Sequence, residues 1–270
     1  MQDDEDRPEN EKYRAPALAK GLDILELLAD VRDGLTQVAI AKELQRTTPE
    51  IFRMLAVLKQ RGYVWQSEDD HYHLSARMLE IAYRHPPMQR LLTLSRVPMQ
   101  RLAHQINQSV HLCIPQSGRL LVVAQCDNPD NNINTVRLGA HIPIYDSASG
   151  RALAAFMDAE ALALMLEQAG HDERGRRDLF LADLAAVRAI GHYEGPSLTI
   201  AGITNLSAPV FDFTGQAVAA MTIPFIQRLR EEDRAALAKS RTGLTRTCRD
   251  LSVRLGAQAS LEDGQGESMT

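Results

Sequence analysis

A few groups of residues have types and spacings that could do chemistry. Glu50 and Arg53 stand three apart in a stretch that reads as a helix, so they share a face. Arginine can donate two bonds to guanine O6 and N7, and glutamate can accept from cytosine N4. The same spacing also makes an ordinary surface ion pair. Farther along, Asp146-Ser147-Ala148-Ser149-Gly150 precedes an apolar helical stretch. Free amides at a helix start, beside small residues, form an anion site. Ser147 could equally do no more than cap that helix. His111 and Cys113 stand two apart on a predicted strand and so face one side. They are either a nucleophilic Cys–His pair or a buried thiol beside a pocket histidine. His71 and His73 also share a strand face, but no nearby acid or thiol completes a metal cage. The chain has no GxSxG, HExxH, Walker A or GxGxxG motif.

These residues need elements to position them. Residues 1–14 are acidic and without apolar period, which predicts a disordered tail; residues 259–270 are expected to be another. Leu18, Leu22, Leu25 and Leu28 form one helical stripe that ends before Gly34. Thr36 is the expected N-cap of a short second helix with Val38, Ala41 and Leu44 on one face. Thr48 is the expected N-cap of a third, with Pro49 at its first position and Gly62 at its end. Ile51, Leu55 and Leu58 point to its core side; Pro49, Glu50, Arg53, Val57 and Gln60 lie opposite. Tyr63–Gln66 and His71–Leu74 flank a polar tetrapeptide and read as a hairpin. Three helices and a hairpin within about 60 residues are the layout of a winged helix-turn-helix, whose last helix enters the major groove. Arg46, Thr47 and Thr48 would then meet phosphates. Arg46, Thr47, Thr48, Pro49, Glu50, Phe52, Arg53 and His71 are the candidate DNA contacts. The acidic hairpin tip, Glu68-Asp69-Asp70, suits phosphate poorly.

A linker helix is expected over 75–87, with a break at Pro86-Pro87, and a second domain over 88–258. Met88–Asn107 reads as helix, with a break at Pro98. Strands are expected at Val110–Pro115, Leu120–Gln125, Thr135–Leu138, Asn205–Phe211 and Ala217–Pro224. Helices are expected at Ser147–Met157, Leu179–Ile190 and Leu229–Leu255. Strands and helices mix without strict alternation, so the fold class is α+β with a curved, mostly antiparallel sheet. Asn205, Ser207 and Thr222 fall on strands otherwise rich in Ala, Val and Ile, and either line a pocket or face water.

The 270 residues, 44% hydrophobic and 24% charged, exclude collagen, mucin-like stalks and wholesale disorder. No apolar run approaches the ~18 residues needed to span a bilayer, and the N-terminus lacks a signal-peptide pattern. Three cysteines without a CxxC indicate neither a disulfide framework nor a zinc site. The reading is a soluble cytoplasmic protein without metal or cofactor. Net charge is −5, yet Lys42 to Arg61 holds five bases against two acids. A basic segment lies within an acidic chain.

Several segments together resemble the IclR family of bacterial transcriptional regulators. Ala17–Leu28 resembles its first helix, and Ile51–Leu55 with Leu58–Val64 its recognition helix and exit into the wing. Ser109-Val110-His111-Leu112, Ser149–Phe156 and Ser207–Gly215 resemble a strand, a helix and a hairpin of its second domain. The match covers about residues 15–256 in order. It implies a repressor or activator that binds operator DNA as a homodimer or homotetramer. It also implies a GAF/PAS-like domain that senses a small organic acid, here for a catabolic operon. His111, Asn134, Ile142, Ser147, Ala148, Ser149, Asn205 and Thr222 are the implied effector contacts. Two departures stand out. Pro49 and Glu50 replace a common Ser-Thr, so the operator should differ. Asn205 stands where a cysteine is usual, so the pocket chemistry should differ too.

Overall fold

The computed structural model describes residues 15–129, 136–170, 175–227 and 233–258. The chain divides into two compact units between Gln89 and Arg90.

The first unit holds α1 (Pro16–Ala29), β1 (Leu35–Thr36), α2 (Gln37–Glu43), α3 (Thr48–Gln60), β2 (Val64–Gln66), β3 (His71–Leu74) and α4 (Arg77–Arg84). Its core is Ile24, Leu25, Leu28, Ile40, Ala41, Ile51, Leu55, Leu58, Val64 and Tyr72. The inward face of α3 is the expected one. The stripe on α1 is not: Leu18 and Leu22 are exposed, because the core reaches only the later turns of that helix. On α2 the buried residues are Ile40 and Ala41, and Val38 is exposed. The hairpin gains a third strand, with β1 pairing on β3 in the order β1-β3-β2. Two residues of Leu-Thr carry too little period to be read as a strand. Thr36 does cap α2, accepting from the Ala39 amide at 3.3 Å.

The break after α4 falls at His85, not at Pro86-Pro87. His85 is extended, as a residue before proline prefers. Both prolines lie in the first turn of α5 (Pro86–Ile106), where no amide is needed. Pro98 does not break α5 either. A proline within a helix leaves the carbonyl four residues earlier without its amide. Here that carbonyl, Leu94, accepts instead from Arg254 Nη1 at 3.4 Å.

The second unit is built on six antiparallel strands: β4 (Val110–Gln116), β5 (Arg119–Cys126), β6 (His141–Pro143), β7 (Tyr193–Pro196), β8 (Ile203–Phe211) and β9 (Ala217–Ile226). Their order is β6-β5-β4-β9-β8-β7. One face buries Val110, Leu112, Leu206, Ala208, Met221 and Ile223 with side chains of α5 and of α9 (Asp233–Leu255). The other face packs on α6 (Ala148–Ala154), α7 (Ala159–Gln168) and α8 (Arg177–Ile190), through Ala152, Leu153, Met165 and Phe180. Within the stretch expected as a strand, Thr135 lies outside the described residues, and 136–138 lead into a turn at Gly139 (φ +79°). The strand comes afterwards, as β6. Neither α7 nor β7 is anticipated by the sequence reading. Asp158 starts α7 by accepting from the Ala161 amide at 2.7 Å.

Candidate functional site

Two regions carry the residues singled out from sequence, one in each unit. In the first unit the cap of α3 is Thr47 rather than Thr48. Thr48 opens the helix and Pro49 is its second residue. The cause is Glu50. Its carboxylate accepts from the Thr47 amide at 3.1 Å and from the Thr47 hydroxyl at 2.9 Å. The other carboxylate oxygen accepts from Lys20 Nζ on α1 at 2.6 Å. Glu50 is therefore not a free acceptor for a base, and its expected partnership with Arg53 does not form. Its carboxyl is lowered to about 2, first by the Lys20 bond and then by the two Thr47 bonds.

Arg53 projects from α3 exposed, and it makes no hydrogen bond or ion pair with any described residue. Arg46, in the turn before α3, is in the same state. Thr48, Pro49 and Phe52 are exposed beside them. That turn passes through Gln45 at φ +52°, a left-handed residue that reverses the chain between α2 and α3. Lys59, counted among the segment's bases, instead donates to Gln66 on the wing at 2.8 Å; Gln66 in turn donates to Asp70 at 2.9 Å. His71 Nδ1 lies 3.0 Å from the Asp69 carbonyl and carboxylate. His73 stacks on the exposed indole of Trp65, with centroids 4.4 Å apart and planes at 13°. Trp65 is the residue the sequence reading passes over here. Its signal was a lone tryptophan on a strand position that alternates outward.

In the second unit the sheet brings part of the expected set together. His111 on β4 is directly opposite Thr222 on β9, so the two share a face. Ser149 on α6 reaches down to that face, with its Oγ 2.8 Å from Thr222 Oγ1. Ser207, opposite Thr222 on β8, completes a hydroxyl row at 2.7 Å. All four residues are buried. Asn205 is one alternation farther along β8 and half-buried. Ile142 on β6 packs at the margin of the second core, and Ala148 is buried in α6. Asn134 lies outside the described residues. Ser147 caps α6, accepting from the Gly150 amide at 3.0 Å. Gly150 is required there: a Cβ would meet the Ile144 carbonyl oxygen at 2.2 Å.

Charge in this region is settled within the protein. Arg151, 1% exposed, donates to Asp183 at 2.7 Å and to the Tyr145 and Ser147 carbonyls at 3.0 and 3.3 Å. Its guanidinium also lies 5.3 Å from the Tyr193 ring and 5.5 Å from the Phe180 ring. The sequence reading did not single out Arg151; an arginine in an apolar helical run was the available signal. His111 and Cys113 do lie on one face, as expected. A bulge in the pairing with β5 at this point leaves Val123 unopposed. Burial lowers the His111 imidazole to about 4 and pushes the Cys113 thiol up to about 12. Both shifts oppose a thiolate–imidazolium pair, the form a cysteine nucleophile needs. Among the described residues no three of His, Cys, Asp and Glu are grouped to hold a metal ion. No described helix is long and apolar enough to cross a membrane.

Comparison with known proteins gives a consistent result. The IclR helix-turn-helix domain model matches residues 17–68. The model for the bacterial transcriptional regulator IclR C-terminal domain matches residues 88–253. The HTH-type transcriptional regulator KdgR of Escherichia coli is 25% identical over 216 residues, 77% of this chain and 81% of its own length. The glycerol operon regulatory protein of Streptomyces coelicolor is 28% identical over 223 residues, 80% of this chain and 87% of its own. The crystal structure of Pseudomonas aeruginosa HmgR shares the fold, with a TM-score of 0.70 at 23% identity, covering 89% of this chain and 99% of that one. These relatives are regulators, not enzymes. The chain belongs to the IclR family of bacterial transcriptional regulators.

Proposed function

We propose that this regulator reads operator DNA chiefly through Arg53, with Arg46, Thr47 and Thr48 on phosphates, and that it senses a small oxygenated metabolite at the Ser149–Thr222–His111 face. Its target is a catabolic operon, and it acts as a homodimer or homotetramer. The sequence-level expectation for the effector is an organic acid. The observation that carries the DNA reading is the exposed face of α3. Lys20 and Lys59 are bonded within the protein, whereas Arg46 and Arg53 are not. An arginine without an internal partner loses none on meeting a base or a phosphate. Glu50 takes the role of a positioning residue that fixes the first turn of α3.

The test is a mobility-shift assay with DNA from the protein's own upstream intergenic region, under salt titration and excess competitor. Specific binding should survive competitor. Arg53→Ala should weaken it by about 1–3 kcal/mol and relax preference at one base pair. Arg46→Ala should weaken all sequences alike and reduce the salt slope by about one. An Arg53→Ala protein with undiminished affinity and unchanged preference would remove Arg53 from the reading role.

A further inference from the structure

The hydroxyl row at the sheet face has a donor count that can be worked through. Ser207 Oγ donates to the Met221 carbonyl at 3.4 Å, which uses its single proton. In its 2.7 Å contact with Thr222, the threonine must then donate. That leaves Ser149 to donate across the 2.8 Å contact with Thr222. All three hydroxyl protons are used inside the protein, and what remains is lone pairs. The Cys113 thiol adds a contact to Ser149 and stays protonated. His111 Nδ1, on the same face, is buried with no hydrogen-bond partner in the protein. A buried, unpartnered ring nitrogen beside an ordered polar row is the mark of a site that awaits a polar group.

No cation is on offer there. Arg151 is matched by Asp183 and turned onto two carbonyls. The amide at Gly150 is taken by Ser147. A carboxylate only accepts hydrogen bonds. Set against oxygen lone pairs, with no cation or free donor to receive it, it would bear the full cost of leaving water.

We propose that this face binds a small uncharged molecule that donates hydrogen bonds, an alcohol or polyol, in preference to a carboxylate. The proposal rests on the reading of this face as the effector site and narrows the class of effector. Ligand hydroxyls would donate to the lone pairs of Ser149 and Ser207 and pair with His111 Nδ1. An aliphatic or aromatic body would lie toward Ile142 and Ala148.

The test uses the full-length protein and matched probe pairs: ethylene glycol and glycolate, glycerol and glycerate, 4-hydroxybenzyl alcohol and 4-hydroxybenzoate. Thermal unfolding is followed by circular dichroism at pH 7.5 and constant ionic strength. A bound probe at a hundredfold excess over Kd should raise Tm by about 5 °C or more. The expected result is a rise with an alcohol and none with its acid, lost in both Thr222→Val and His111→Leu. General stabilisation by a polyol as cosolvent would persist in those variants and so is told apart. A variant that fails to fold is replaced by Ser207→Ala, which removes one member of the row. A rise with an acid alone, dependent on Thr222, overturns the uncharged class and leaves the sensing role standing. No rise dependent on Thr222, His111 or Ser207 with any probe overturns both.

Discussion

The start of α3 and the sheet face around Thr222 use the same residue types to opposite ends. Each has an arginine, a carboxylate and neighbouring hydroxyls. At α3 they are exposed. Glu50 is taken up by Lys20 and Thr47, and Arg53 is left over. In the second unit they are buried. Arg151 is taken up by Asp183, and what is left over is a neutral ring nitrogen on His111. The lesson is that pairing within the protein decides what each site can offer a ligand. An unpaired surface cation offers charge and suits a polyanion. An unpaired buried nitrogen in an uncharged row offers hydrogen bonds and suits a neutral molecule. The two ion pairs should differ in energy for the same reason. An exposed pair is worth little, whereas breaking a buried one strands a charge.

Removing Asp183 should therefore give the largest effect. Asp183→Ala leaves Arg151 buried with carbonyls and aromatic faces but no counter-charge. A loss of about 3 kcal/mol is expected, at the lower end for a buried pair because Asp183 is itself one-third exposed. The chain's single tryptophan, Trp65, lies in the first unit. Its fluorescence reports that unit, while circular dichroism reports both. The expected outcome is a lower dichroism midpoint in urea with the fluorescence midpoint unmoved. Both probes moving together would show that the units unfold as one.

The next effect is pH-dependent. Burial holds His111 at about 4, below the ordinary 6.5. The unfolded chain binds this proton first, so the group's contribution is present above pH 6.5 and is lost as pH falls toward 4. At pH 5 the difference amounts to about 2 kcal/mol relative to pH 7.5. Urea midpoints measured by circular dichroism should fall over that range in the wild type. His111→Leu should flatten the part due to this residue. Equal slopes in the two proteins would mean that His111 is protonated in the fold.

How much of this was legible in sequence follows from where the information sits. The core face of α3 was readable because Ile51, Leu55 and Leu58 repeat at helical spacing. The fold of the second unit was readable in its long strands, β4, β8 and β9, and not in β7, whose Tyr-Glu-Gly-Pro has no alternation and pairs only because β8 supplies an edge. Thr222 and His111 could be named from sequence, but their meeting is a matter of register between strands over a hundred residues apart. Glu50 shows the limit most clearly. A helical wheel places it beside Arg53 on the groove face. It does not show Lys20, thirty residues earlier on another helix, which draws the carboxylate away.

That same pair gives the smallest expected effect and the finest test of the comparison. With its carboxyl at about 2 rather than the ordinary 4.5, Glu50 contributes stability that is present above pH 4.5 and lost as pH falls through 2. The group is exposed, so solvent and salt screen its bond to Lys20, and the contribution is small. Glu50→Gln should lower the Trp65 fluorescence midpoint slightly at pH 6, and the wild-type and variant curves should converge toward pH 3. Added salt should narrow the gap at pH 6. A positioning residue and a base-reading residue then separate in the binding assay. If Glu50 only fixes the first turn of α3, Glu50→Gln weakens every operator variant by a similar factor. If Glu50 leaves Lys20 to read a cytosine on the DNA, the loss is confined to one base pair, and the contrast drawn between the two regions no longer holds at α3.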